Sequence, residues 1–288
     1  MLLALSALWG ASFMFIKVGV RGFEPATLVW LRLTVAAATL APIALLSAGR
    51  SVFAEVRAEW RGLTALGAGN SVIPFWFISW GETRIDSGLA AIIQASAPIF
   101  TALLAWRFSR SERVSGARLA GVLIGFAGVA LLVGGQRGGA VLGALAVLVA
   151  ALCYAASALW GGRRLAHVRP LALALGTMAT GSLVTLPFGL AQLPGELPGW
   201  KPVVSVLALG VGGSALAYLL YFAILMGAGA SRAILVTYLV PAAALAYGVL
   251  LLGEPLGATA LGGLALVLAG VALGTGALRR TRRGSLRT

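Results

Sequence analysis

Two prolines lie deep inside long apolar stretches, Pro98 within Ser87–Trp106 and Pro241 within Ala233–Leu252. Each follows a polar residue by four positions, Gln94 and Thr237. A proline inside a helix has no N–H for the carbonyl four residues back, and its ring pushes that carbonyl aside. Those carbonyls belong to Gln94 and Thr237 themselves. In hydrocarbon a freed carbonyl must be met by protein or by a wet cavity. The spacing therefore predicts two broken helices, 143 positions apart, that share one central polar site.

Other groups with binding chemistry recur along the chain. Trp9 and Ser12 stand in the first apolar stretch, and Tyr154 and Ser157 in a later one. A third stretch carries Asn70, Ser71, Trp76 and Trp80, and its counterpart carries Ser214, Tyr218 and Tyr221; Tyr238 follows Thr237. Asn70, Pro74 and Phe77 fall near one helical face, with Pro74 adding a kink. The candidate substrate-binding set is Trp9, Ser12, Asn70, Trp76, Gln94, Tyr154, Ser157, Tyr218, Thr237 and Tyr238. Aromatic walls with hydroxyl and amide groups suit a zwitterionic or neutral organic solute that has an apolar side chain.

The same residue types have plainer uses. Serine and threonine in membrane helices bond their own i−4 carbonyl or a neighbouring helix, which applies to Ser71, Ser214 and Thr237. Tryptophans near span ends, such as Trp80, Trp106 and Trp160, form interfacial belts. Asn70 and Gln94 are harder to place in a dry bundle, because an amide has four hydrogen-bonding valences. Arg32 either snorkels to the nearer surface or faces protein, where it attracts a carboxylate of the substrate or of Glu24 or Asp86.

These residues are carried by a chain of 288 residues that is 60% hydrophobic and 10% charged, where a soluble domain has roughly 25% charged residues. Apolar runs of about twenty residues match the length that crosses a bilayer as helix. The fold class is all-α and polytopic, with ten spans: Leu2–Val20, Ala26–Ser47, Gly62–Trp80, Ser87–Trp106, Val114–Gly134, Ala140–Trp160, Leu171–Gln192, Val203–Met226, Ala233–Leu252 and Leu256–Ala277. The longest connection, Ala48 to Arg61, has the composition of an interfacial amphipathic turn. Met1–Val20 has its basic residues, Lys17 and Arg21, behind the apolar run, so it reads as a spanning helix and not as a signal peptide; a longer natural N-terminus stays open.

The net charge of +14 reads as topological bias, which removes the case for nucleic-acid binding. Sixteen of the 22 Lys and Arg residues fall on the side of the N-terminus, including five in the tail 279–288, and five fall on the other side. Both termini are expected in the cytoplasm of a bacterial inner membrane protein. The one cysteine, Cys153, excludes an intrachain disulfide.

The two halves also match. Trp9, Ser12, Pro25 and Pro42 have counterparts 145 positions later in Tyr154, Ser157, Pro170 and Pro187. Gly69, Ser71, Gln94 and Pro98 have counterparts 143 later in Gly212, Ser214, Thr237 and Pro241. Glu112, Gly121 and Gly128 pair with Glu254, Gly263 and Gly270, 142 later. This predicts two five-helix repeats, 1–135 and 136–278, followed by a basic tail. An odd helix count inverts the second repeat, and inverted repeats with interrupted helices mark secondary transporters that work by alternating access.

The pattern resembles the EamA-type transporters of the drug/metabolite transporter superfamily. The likeness rests on Ala7–Ser12, Arg32, Ala97–Pro98 with Glu112–Arg113, and Val240–Pro241 with Gly253–Glu254–Pro255, each of the latter two followed by a glycine-rich helix. It covers essentially the whole chain. The resemblance implies export of metabolites, and the comparison within the family is to bacterial aromatic amino-acid exporters (YddG-like). It also implies coupling to the proton-motive force, yet all eight acids fall in loops or at span ends and the only histidine, His167, is in a basic loop. Facilitated transport therefore stands beside coupled transport. An enzyme would need a base, nucleophile or metal set that these residues do not supply, and no cofactor is expected; a channel-like facilitator is the remaining alternative. The glycine-rich helices Gly116–Gly134 and Gly262–Gly276 are packing surfaces, with a homodimer allowed but a monomer sufficient. Glu112 and Glu254 are either dipole partners of the helices that follow them or gate latches.

Overall fold

The computed structural model describes residues 1–108, 116–229 and 235–274, and every regular element among them is a helix. Runs of Leu, Ala and Val with no strongly polar face take this form because a helix satisfies its own backbone in hydrocarbon. In order they are α1 (Leu2–Gly19), α2 (Pro25–Ala48), α3 (Ser51–Ala58), α4 (Trp60–Gly67), α5 (Ile73–Glu82), α6 (Ser87–Gln94), α7 (Ala97–Phe108), α8 (Gly116–Gly134), α9 (Gly139–Arg164) and α10 (Pro170–Ala191). Then come α11 (Trp200–Ala208), α12 (Ala217–Ala228), α13 (Val236–Leu252) and α14 (Ala258–Gly274). Among the described residues six helical stretches are long and apolar enough to cross a membrane, and Leu119–Gly134, Val236–Leu252 and Ala258–Leu273 are shorter apolar helices. Glu112, Arg113, Arg232 and the tail arginines lie outside the described residues.

The helices are interrupted at three places. Between α6 and α7 the chain turns through Ala95 and Ser96, with Ser96 N donating to Ile93 O at 3.0 Å. Pro98 is then the second residue of α7, where its missing N–H was an orphan of the helix start. Pro98 thus begins a helix instead of bending one. The other two interruptions are π-helical: Ala68–Val72 between α4 and α5, and Leu209–Leu216 between α11 and α12. Pro74 stands in the first turn of α5, so it cannot bond the carbonyl of Asn70, and the wider turn takes up the mismatch. The second expected break differs. Pro241 lies inside α13, which runs on through it. A proline near a helix start removes one bond without ending the helix, and residues 230–234 ahead of it are not among those described.

The halves of the chain interlock: α1 packs on α13, α2 on α10, α5 on α9, and α8 on α14. The α8–α14 pair is the tightest, as its glycines predict. A β-carbon added at Gly270 would come within 2.7 Å of the Gly121 carbonyl oxygen.

Contacts between connections define two sides. On one, Lys17 reaches the carbonyls of Glu82 (2.8 Å) and Ile85 (2.7 Å), and Thr27 donates to Gly189 O (2.9 Å) and Gln192 O (2.8 Å). The Glu254 carboxylate accepts from Ser87 N (2.8 Å) and Gly88 N (3.0 Å) on this same far side. Glu254 is therefore a helix-dipole partner, but of α6 in the other half and not of the helix that follows it, because the left-handed Gly253 (φ 70°) turns the chain back at the end of α13. On the N-terminal side, the connection 48–60 forms α3 and carries Glu55, which accepts from Arg169 N (2.8 Å) and Nε (2.6 Å), and Glu59, 3.0 Å from His167.

Two outcomes follow. Gly270→Val should lower stability in detergent by about 1–3 kcal/mol through overpacking, read as a fall in Tm, while the same change at the open position Gly139 should have little effect. For Glu55, partial burial raises the carboxyl, but the hydrogen bonds and charge of Arg169 prevail and hold it below the ordinary value of 4.5. A lowered acid contributes stability that is complete above its unfolded value and lost as pH falls through its folded value. Acidifying through and below pH 4.5 should therefore lower Tm. Glu55→Gln should remove that part of the pH dependence at a cost of about 0.2–1 kcal/mol at neutral pH, the range of exposed pairs.

Candidate functional site

The three interruptions surround one cavity of about 980 Å³. Its wall includes Gln94, Ala95, Ala97 and Pro98 from the α6–α7 break, Asn70 from the first π turn and Gly213 from the second. Each irregular stretch thus borders the space where a displaced backbone group can find solvent or solute. The cavity extends to the N-terminal side, where Trp106, Gly162, Leu165, Ala166 and Pro170 line it. On the far side the contacts of Lys17, Thr27 and Glu254 hold the helix ends together.

Arg32 projects from the third turn of α2, which starts at Pro25. The side chain is 5% exposed and lines the cavity, so it faces protein and does not snorkel. Its Nε donates to Ser214 Oγ at 2.9 Å, and its guanidinium carbon lies 3.7 Å from the centre of the Phe75 ring. Neither Glu24 nor Asp86 pairs with it, and Nε–Ser214 is the hydrogen bond that the guanidinium makes among the described residues. A guanidinium has five N–H donors; those on the terminal nitrogens remain for a solute, in the forked arrangement that matches a carboxylate.

The amide of Asn70 donates from Nδ2 to the Tyr218 hydroxyl at 2.9 Å. Tyr218 meets the Trp9 ring edge-on, with centroids 6.3 Å apart, and Tyr221 lies 5.6 Å from the same ring. Tyr154, Thr237 and Pro241 complete this wall. Gln94 presents a buried Oε1 that has no hydrogen-bond partner. An unpaired buried amide oxygen is costly, and it offers a solute N–H group an acceptor.

Ser12 and Ser157 also line the cavity, in matching surroundings. Ser12 Oγ bonds back to Leu8 O at 2.9 Å. A β-carbon at Gly213 would overlap Ser12 Oγ, and one at Gly69 would overlap Ser157 Oγ. Each serine therefore sits against the π turn of the opposite half.

Two expected residues fall elsewhere. Trp76 stacks on Trp80 with centroids 6.2 Å apart and meets Phe77 edge-on at 5.2 Å, within a second hydrophobic cluster. Tyr238 packs against the main core and is absent from the cavity wall. The π turn rotates α5 relative to α4, so positions that share a face on an ideal helix do not share one here. Residues not singled out include Phe75 and Thr177; Phe75 could have been found as the aromatic five positions after Asn70 once the extra residue of the π turn is allowed for. Trp106 and Trp160 are half-exposed at span ends, as belt residues would be. Of the eight acids expected in loops or at span ends, Glu82 does end α5, and it is 0% exposed, with no hydrogen bond to either carboxyl oxygen.

A largely apolar, aromatic cavity with a few polar groups, bordered by interrupted helices and reaching the N-terminal side, is the arrangement of a membrane transporter. The chain belongs to the EamA-like transporter family, whose model matches it twice, over residues 1–134 and 141–275. It is 30% identical over 269 residues to an "Uncharacterized transporter" of Archaeoglobus fulgidus, covering 91% of this chain and 93% of that protein. It is 32% identical over 274 residues to a "Probable terminal-alkyne amino-acid exporter" of Streptantibioticus cattleyicolor, covering 92% and 89%. A solved structure shares the fold, with a TM-score of 0.69 at 21% identity over 97% of both chains.

Tyr218→Phe should leave the Asn70 amide without its partner and cost about 1–3 kcal/mol of stability. Adding Asn70→Leu should recover part of that loss. Thermal unfolding of the two single variants and the double variant in detergent measures the coupling; strict additivity would mean that the bond contributes nothing.

Proposed function

We propose that the chain is a ten-span carrier, built of inverted five-helix repeats at 1–135 and 136–278, that exports small organic metabolites by alternating access. Amino acids with aromatic or apolar side chains are the first substrate class. The observation that carries this reading is Arg32: a buried guanidinium with unfilled donors on the wall of an aromatic cavity. A solute carboxylate would take those donors, its ammonium group would find the free Oε1 of Gln94, and its side chain would lie against Trp9, Tyr218 and Tyr221. The name of the Streptantibioticus relative and the double family match lend support. The charge bias makes the N-terminal side cytoplasmic, so the cavity is open to the compartment from which an exporter loads. One chain builds the whole cavity, and a monomer is sufficient.

Counterflow of labelled amino acids in liposomes tests this. Phe, Trp, Tyr, Met and Thr should show saturable flux that is stimulated by the same solute on the opposite side, whereas linear, unsaturable flux would overturn the carrier reading in favour of a channel. Arg32→Gln should weaken apparent affinity for amino acids by roughly tenfold to a hundredfold, the range of a lost charge-assisted bond, with little effect on amines that lack a carboxylate. Equal loss for both classes would remove Arg32 from substrate recognition. Gln94→Ala and Thr237→Ala should alter transport with insertion intact.

A further inference from the structure

Glu82 is the one carboxyl among the described residues that the far-side closure shuts away completely. It is 0% exposed, and neither carboxyl oxygen has a hydrogen-bond donor. Its neighbour Lys17 does not supply one: the ammonium group is held on the backbone carbonyls of Glu82 (2.8 Å) and Ile85 (2.7 Å), where a cation is favoured by the C-terminal end of α5. The charged groups that act on Glu82 electrostatically are Lys17 from α1, the negative Glu254 from the connection after α13, and Arg32 from α2. Asp86, in the α5–α6 turn, faces the same Lys17 and Glu254. From α9, packed on α5, Gly143 and Val147 meet the preceding residue Gly81 and carry no charge. A carboxylate left dry and without donors costs several kcal/mol, so the cheapest state of this group in the closed form is the neutral acid.

The closure that buries Glu82 is made of separable contacts. Lys17 joins α1 to the end of α5, and Glu254 joins the end of α13 to the start of α6. Opening the far side by parting these helix ends would bring water to Glu82, and in water a glutamate ionises near pH ~4.3. From this geometry we propose that Glu82 is a proton-binding site read from the far side: it takes up a proton as that side closes and releases it there as that side opens. The closed form then holds one proton more than the open form. External acid drives the emptied carrier back to the state that loads from the N-terminal side. This rests on the alternating-access reading but not on any choice of substrate.

The test needs no substrate. Ser87, at the start of α6, is 0% exposed and its hydroxyl has no partner, so Ser87→Cys is a small change in the closed seal. In a Cys153→Ser background, oriented liposomes are treated from the far side with a membrane-impermeant maleimide across a range of external pH. The same measurement with Glu82→Gln added corrects for ionisation of the thiol itself. The labelling rate with Glu82 retained, divided by the rate with Glu82→Gln added, should rise with external pH by up to about tenfold per unit, the limit for one linked proton, and approach one in acid. Glu82→Asp should keep the dependence. A ratio that does not change with pH overturns the proposal, as does a dependence that survives Glu82→Gln and disappears in Asp86→Asn. If flat labelling accompanies intact counterflow, the proton site fails while the carrier reading stands. Should Glu82→Gln not fold, dicyclohexylcarbodiimide, which adds to protonated carboxyls in apolar surroundings, tests the unmodified protein. It should modify the peptide containing Glu82, and less so as external pH rises; absence of modification at neutral pH overturns the proposal.

Discussion

The structure depends on one constraint: hydrocarbon offers no hydrogen bonds, so an irregular backbone is tolerated only against protein or a wet space. The chain departs from regular helix at Ala95–Ser96, Ala68–Val72 and Leu209–Leu216 inside its spans, and each of these stretches supplies wall to the same cavity. Interruptions and cavity are one feature. Without the cavity the freed backbone groups would be unsatisfied, and without the interruptions Asn70, Gln94 and Gly213 would not meet there.

Polarity within the cavity is unequal in the same sense. Most hydroxyls and amides are already engaged: Ser12 with its own helix, Asn70 with Tyr218, Ser214 with Arg32. Among the buried groups left over are the unpaired carbonyl oxygen of Gln94 and the terminal donors of Arg32. A site with a few unsatisfied groups among aromatic surfaces selects its solute by what those groups lack. The far-side closure also uses a few polar contacts at helix ends, where Lys17 and Thr27 each donate two hydrogen bonds and Glu254 accepts two. Contacts of that kind can be exchanged for water at modest cost, which is what a carrier that opens on either side requires.

Much of this was legible along the chain. Apolar runs, the spacing of prolines behind Gln94 and Thr237, and the matches between halves led to helical spans around a central polar site, and Trp9, Ser12, Asn70, Gln94, Tyr154, Ser157, Tyr218 and Thr237 do line one cavity. The failures share a cause. Trp76 was included as an aromatic of the stretch that carries Asn70, and the π turn between them directs it to another face. Pro241 was read by analogy with Pro98, but a proline near the start of a helix need not break it. Glu254 was read as a dipole partner of the helix that follows it or as a gate latch, and its partners, 166 and 167 residues away, exclude the first.

Composition and spacing by themselves determined that this protein is a bundle of membrane helices with a repeated plan, because hydrocarbon permits so few backbone solutions that length and hydrophobicity suffice to choose among them. Tertiary structure alone decided which side of the cavity is open, that Arg32 rests on Ser214 and Phe75 instead of an acid, and that Glu82 is sealed at the end of α5. Those outcomes turn on contacts between residues far apart in the chain, such as Arg32 with Ser214, on helix rotation through the π turns, and on the burial of a single carboxyl group among neighbouring helices. None of these is a property of any local stretch of residues.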